Sequence, residues 1–154
     1  MDRLTGSNYK IHLSKSHWLL ETLSALASRK KPGITKLTRN SKIFKTIITA
    51  IQSKKGEQII SLDLRKIPEA VADFFIICQA TSNTQVKAIA DAVEDAVRKN
   101  CGENPYKHEG QHASQWILID YVNIVVHVMQ PETRKFYRLE ELWSDAALTE
   151  HNDE

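Results

Sequence analysis

Cysteine is scarce in this chain: Cys78 and Cys101 are the only two among 154 residues. They lie far apart in sequence, which excludes a disulfide framework and a cysteine-rich zinc site and fits a reducing compartment. Long hydrophobic runs are missing too. No apolar stretch approaches the ~20 residues of a membrane-spanning helix, so a soluble protein is expected. Catalytic signatures are equally thin. Two-metal nucleotidyl transfer calls for carboxylates two apart on a strand, where alternation turns both toward the ions, and nowhere are two acids separated by one residue. Residues 43–147 hold no Gly-Ser or Gly-Gly pair to cradle a triphosphate, and there is no P-loop and no Gly-x-Ser-x-Gly elbow. Cys78 sits in an apolar run and reads as core, while Cys101 ends a helix, away from the dipole that activates a thiol.

What is present has ordinary globular proportions, 42% hydrophobic and 26% charged, and the length suits one compact domain with a modest tail. The net charge of +2 hides an asymmetry. Residues 1–42 carry nine Lys or Arg against two acids, a net of +7, whereas the remainder carries 12 basic and 17 acidic residues, a net of −5. An acidic folded part argues against a broad nucleic-acid-binding face and for a basic protein partner. The basic piece has Ser and Thr throughout, ends in the break Lys30-Lys31-Pro32-Gly33, and holds one amphipathic stretch around Trp18 to Leu26. It reads as a disordered arm, an extension from a misplaced start, or a transit peptide. Lys outnumbers Arg six to three in it, which weakens the transit reading.

From Ile43 the pattern becomes regular. Ile43, Phe44, Ile47, Ile48 and Ile51 recur at helical spacing and stop before Gly56, with Lys54 and Lys55 in the last turn. Glu57 to Leu64 reads as a strand, and Phe74 to Cys78 is a continuous apolar run suited to a buried strand. Ser82 and Gln85 have capping-box spacing before the apolar face Val86, Ile89, Ala90, Val93 and Val97, and Asn100-Cys101-Gly102 supplies a stop. Trp116 to Tyr121 and Ile124 to Met129 predict a hairpin, although Val122-Asn123 is a poor tight turn. Glu132 to Ala147 predicts one or two short helices, followed by a polar, acidic tail over 148–154. The sum is a single compact α/β domain over 43–147 with a mixed β-sheet flanked by helices.

Two features invite a functional reading. His108-Glu109-Gly110-Gln111-His112 matches the H-E-x-x-H pattern of zinc hydrolases, which needs a helix to bring both imidazoles to one face. Pro105 just before, Gly110 at its centre and a strand soon after His112 oppose a helix, so the segment reads as a surface loop. The second feature is the aromatic stretch from Trp116 to Trp143, of the residue types that anchor protein interfaces. Phe136 and Leu139 read as core. Trp143 is harder to bury whole at the end of a small domain, and His127 reads as a satisfied core or interface histidine.

The blocks Ala72-Asp73-Phe74-Phe75-Ile76-Ile77-Cys78, Thr81 to Val86 continuing through Ala88-Ile89-Ala90-Asp91, Trp116 to Tyr121, Val125 to Met129 and Arg134 to Trp143 resemble, in this order, the ribosomal silencing factor family, RsfS or Iojap. The resemblance spans about Ile43 to Ala147 and leaves out the first 42 residues. It implies a nucleotidyltransferase-like fold without the catalytic acids, no enzymatic activity and no cofactor. It implies binding to the large ribosomal subunit through large-subunit protein fourteen, which blocks joining of the small subunit and represses translation when nutrients are scarce. A large-subunit assembly role is the alternative, and a zinc-dependent hydrolase the remote one. Family members can form homodimers when free, and the sequence leaves the oligomeric state open. The family places the chain in the bacterial cytoplasm, or in an organelle if residues 1–42 are a transit peptide. By family position and side-chain type, the docking face is expected to contain Trp116, Asp120, Tyr121, Asn123, Arg134, Tyr137, Glu140, Leu142 and Trp143. Val122-Asn123 stands where the family has a Gly-Asp turn, which removes a charge from the hairpin tip. The basic arm is expected to add ribosomal RNA contacts that weaken with salt.

Overall fold

The computed structural model describes residues 37–151. The basic arm up to residue 36, with its Trp18 to Leu26 stretch, and residues 152–154 lie outside the described residues. The elements in chain order are α1 (Lys42–Ser53), β1 (Glu57–Asp63), β2 (Phe74–Gln79), α2 (Asn83–Cys101), β3 (Lys107–Glu109), β4 (Trp116–Asp120), β5 (Ile124–Met129), α3 (Pro131–Tyr137), α4 (Leu139–Leu142) and β6 (Ala147–Glu150).

Helix α1 forms because its isoleucines and Phe44 make one apolar stripe, with Phe44, Ile47, Ile48 and Ile51 buried. It ends at Ser53, before the two lysines expected in its last turn. Lys55 takes the left-handed conformation (φ 63°) usually left to glycine. Gly56 serves another need, since a Cβ there would lie 2.3 Å from Ile51 Cγ2. In α2, Ser82 Oγ accepts from Gln85 N at 3.1 Å, and Gly102 closes the helix at φ 67°. Only half of the capping box forms. The Gln85 amide instead donates to Lys54 O and Lys55 O at 3.3 Å, satisfying carbonyls left open at the end of α1.

The six strands make one mixed sheet in the order β3-β4-β5-β2-β1-β6. Strands β2 and β5 pair in parallel at its centre, and every other pairing is antiparallel. Alternation divides the side chains between two faces. Ile59, Phe74, Ile76, Cys78, Ile117, Ile119, Val126 and Val128 meet α1 and α2 in the main core. Phe75, Leu118, Val125, His127 and Met129 point the other way and are also buried. That double burial explains the unbroken apolar runs of the central strands.

Two strands escaped the sequence reading. Strand β3 takes in His108 and Glu109, expected in a loop, and pairs with β4 along Lys107↔Asp120 to Glu109↔Leu118. Strand β6 occupies 147–150, expected to be mostly acidic tail, and pairs with β1. His151 follows it, with its backbone N–H on Ile59 O at 2.8 Å and its ring beside Ser61 Oγ. The other end of the domain also moves outward. Leu37 packs against the core and accepts from Arg65 Nη1, and Arg39 donates to Thr149 Oγ1, so residues 37–42 are part of the domain.

Candidate functional site

The β4–β5 hairpin carries four of the nine residues expected at the docking face, and the fold separates them. Trp116 and Asp120 lie on one face of β4, while Tyr121 joins the α1–α2 core on the other. Trp116, Asp120 and Tyr121 are buried. Three of the residues expected at the docking face thus have little surface of their own to present, 6% at most. Asp120 Oδ1 accepts from Val122 N at 2.7 Å. Val122 has φ 74°, and Asn123 N donates to Tyr121 O at 2.9 Å, a tight three-residue turn strained for a β-branched side chain. The turn is pinned from outside, since the Asn123 carbonyl accepts from Asp73 N and Phe74 N at 2.9 and 3.1 Å. Half-buried Asn123 therefore fixes the start of β2.

Helices α3 and α4 carry four of the other five, and Trp143 caps the end of α4. Pro131 opens α3 at a position where its missing N–H costs nothing. Arg138, at φ 49°, separates the two helices, and Leu139, 1% exposed, anchors α4. Arg134, expected to reach toward a partner, turns inward. Its Nη1 donates to Gln58 O at the β1 bulge (2.8 Å) and to Gln79 Oε1 on β2 (3.2 Å), and its Nε donates to Glu140 Oε2 (3.1 Å). One guanidinium thus ties α3 to two strands and to α4. Leu142 is 56% exposed and Phe136, expected in the core, is 42% exposed. Phe136 was missed as a surface residue because its local pattern matches that of buried Leu139. Tyr137 and Trp143 are half-buried.

Rings connect these pieces. Phe136 contacts Tyr137 (centroids 5.0 Å apart), Tyr137 contacts Trp116 (4.8 Å), Trp116 contacts His127 (5.8 Å), His127 contacts Phe75 (4.6 Å) and Phe75 contacts Trp143 edge-on (6.1 Å). The series links exposed Phe136 to half-buried Trp143 across the sheet. At its centre Trp116 Nε1 donates to His127 Nδ1 at 3.0 Å. Indole only donates, so Nδ1 accepts and the ring is the neutral tautomer with its proton on Nε2. Burial pushes the His127 pKa down to about 3. The Nε2–H is buried without an acceptor among the described residues, so this histidine is half satisfied. Burial also raises the Tyr137 hydroxyl to about 12 and the Cys78 thiol to about 12, leaving both protonated at neutral pH.

The H-E-x-x-H segment lacks the geometry its pattern needs. His108 and Glu109 are neighbours on a strand and point to opposite faces, and His108 Nδ1 donates to both Glu94 oxygens on α2 at 3.2 Å. Gly110, at φ 94°, turns the chain toward β4 where a Cβ would lie 1.9 Å from Trp116 O.

With this geometry in place, comparison with known proteins is decisive. The family described as ribosomal silencing factor during starvation matches residues 38–154. The chain belongs to the ribosomal silencing factor family. The silencing factor of Bacillus subtilis is 40% identical over 108 residues, covering 70% of this chain and 90% of that protein. That of Halalkalibacterium halodurans is 36% identical over 111 residues, covering 72% and 93%. A crystal structure of a Chromobacterium violaceum protein superposes with a TM-score of 0.64 at 36% identity, over 67% of this chain and 84% of that one. A mouse protein named for mitochondrial assembly of the ribosomal large subunit is 36% identical over 74 residues, 47% of this chain and 32% of its own length. The silencing-factor match begins one residue after Leu37 and includes β6, in agreement with the limits the fold draws. Among the described residues, no helix is long and apolar enough to cross a membrane.

Proposed function

We propose that this chain is a ribosomal silencing factor that binds the large ribosomal subunit through large-subunit protein fourteen and blocks joining of the small subunit by occupying surface the joint needs. The observation that carries the reading is the family match across every strand of the sheet. The α3–α4 face supports it: exposed Leu142 and Phe136 beside half-buried Trp143 offer the apolar and aromatic contacts of a protein interface. Residues 37–154, the limits that the fold and the family match draw, carry 14 basic and 17 acidic residues, and the net of −3 mildly favours encounter with a basic ribosomal protein. Such a factor acts by occlusion, without turnover or cofactor. Its site of action is the cytoplasm, where subunits join, and the basic arm adds a salt-sensitive contact to ribosomal RNA.

The test is gradient sedimentation of purified subunits, with and without prior incubation of the large subunit with the protein. Co-sedimentation with large subunits and a fall in joined ribosomes is the expected result. Binding without that fall would favour the assembly role that the mouse relative's name suggests. Failure to bind large subunits would refute the proposal.

A further inference from the structure

The two tryptophans of the described residues treat their indole N–H groups differently. Trp116 Nε1 donates to His127 Nδ1. Trp143 Nε1 is buried with no acceptor among the described residues, although the ring itself is only half-buried. An indole cannot escape by changing tautomer or by accepting, so the unmet donor is a burden that folded chains rarely carry. A second unmet group lies on the same short segment. Glu140 Oε2 takes Arg134 Nε, but Glu140 Oε1 is buried without a donor among the described residues. Segment 139–143 therefore holds one unmatched donor and one unmatched acceptor, next to Leu142, its most exposed apolar side chain.

We propose that this pair is kept for a main-chain segment of a basic protein laid across α4, whose carbonyl accepts from Trp143 Nε1–H and whose amide or basic side chain donates to Glu140 Oε1. The assignment rests on the docking role proposed above and adds the chemistry of the contact. The acceptor is a carbonyl, because Glu140, Glu141 and Asp145 surround Trp143 in sequence and would repel a carboxylate. Lysine and arginine side chains carry no acceptor. Both atoms are buried, so the proposed contact includes a small displacement of α4, which is four residues long and joined to α3 at left-handed Arg138. Binding then relieves two unmet groups at once, which makes the contact selective for a peptide backbone over an apolar surface of the same shape.

The full chain is compared with its Trp143→Phe and Trp116→Phe variants, by urea unfolding and by affinity for purified large subunits. Trp143→Phe is expected to keep or raise the unfolding midpoint while weakening binding about fivefold, the ratio that ~1 kcal/mol of one net hydrogen bond gives. Trp116→Phe is expected to lower the midpoint, because it strands His127 Nδ1. Replacing the Trp143 indole by its benzothiophene isostere removes only the N–H and should reproduce the binding loss. Unchanged affinity of the isostere, or a lower midpoint for it, would overturn the assignment. Failure of the unmodified chain to bind large subunits would remove the docking role itself, a distinct result.

Discussion

The buried His127 makes stability depend on pH in a way that can be worked out in advance. In the fold its pKa is about 3, because burial penalises the imidazolium, against 6.5 for the ring in the unfolded chain. A group whose folded pKa is depressed contributes stability that is fully present above the unfolded pKa and is lost as pH falls below it. Between pH 7 and pH 5 the unfolded ring takes up a proton that the folded ring refuses. The loss is about 1.4 kcal/mol for each pH unit below 6.5, or roughly 2 kcal/mol at pH 5. His151 adds in the same direction, since burial and then Arg39 lower its pKa too. The stability that the Asp63 carboxyl contributes, through its hydrogen bond to Arg65, is lost only below about pH 4, outside this window. Urea unfolding followed by tryptophan fluorescence at pH 7, 6 and 5 and constant ionic strength should show the midpoint falling by about 1 M. His127→Asn keeps an acceptor near the position of Nδ1 for Trp116 but cannot titrate. It should start from a lower midpoint and show a clearly flatter slope. Equal slopes for the two proteins would refute the neutral buried imidazole.

Two further substitutions probe the architecture of the site. Val122→Gly should stabilise the chain by about 1 kcal/mol in thermal or urea unfolding, because relief of a strained positive φ (~1–3 kcal/mol) exceeds the entropy glycine adds to the unfolded chain (~0.4–1 kcal/mol); a lower midpoint would show that the valine side chain stabilises more than its backbone strain costs. Arg134→Gln should cost about 2 kcal/mol in the same assay and weaken large-subunit binding without changing its salt dependence, since the guanidinium spends its hydrogen bonds inside the domain. A shallower salt slope would instead place that charge against the partner.

How much of this was legible in the sequence depended on whether a feature is encoded locally. Helix α2 announces itself twice, by Ser82 before its apolar stripe and by Gly102 after it, because both caps act on backbone a few residues away. The buried central strands are equally plain, since a sheet covered on both faces demands unbroken apolar runs. Strands β3 and β6 carry no such mark. Lys107–Glu109 is three residues long and mostly charged, and Ala147–Glu150 is largely exposed. Each is a strand because a neighbouring edge offers its hydrogen bonds, that of the following strand β4 for β3 and that of the distant β1 for β6.

The functional face follows the same division, with one added step. Residue type drew attention to Trp116, Arg134, Tyr137, Leu142 and Trp143, but type alone cannot say which way a guanidinium points or which side of a strand an aromatic occupies. Arg134 finds three internal partners, Tyr121 falls on the far side of the sheet from Trp116, and Asp120 spends one oxygen on the turn that follows it. The polar residues that look most like contacts are therefore the ones that hold the face in shape. The surface left for the proposed contact is that of Leu142, Phe136 and the half-buried Trp143, whose indole lacks an acceptor among the described residues. A face built this way presents apolar surface on a hydrogen-bonded polar frame, so substitutions in the frame should lower stability and binding together, whereas loss of the Trp143 N–H should lower binding alone.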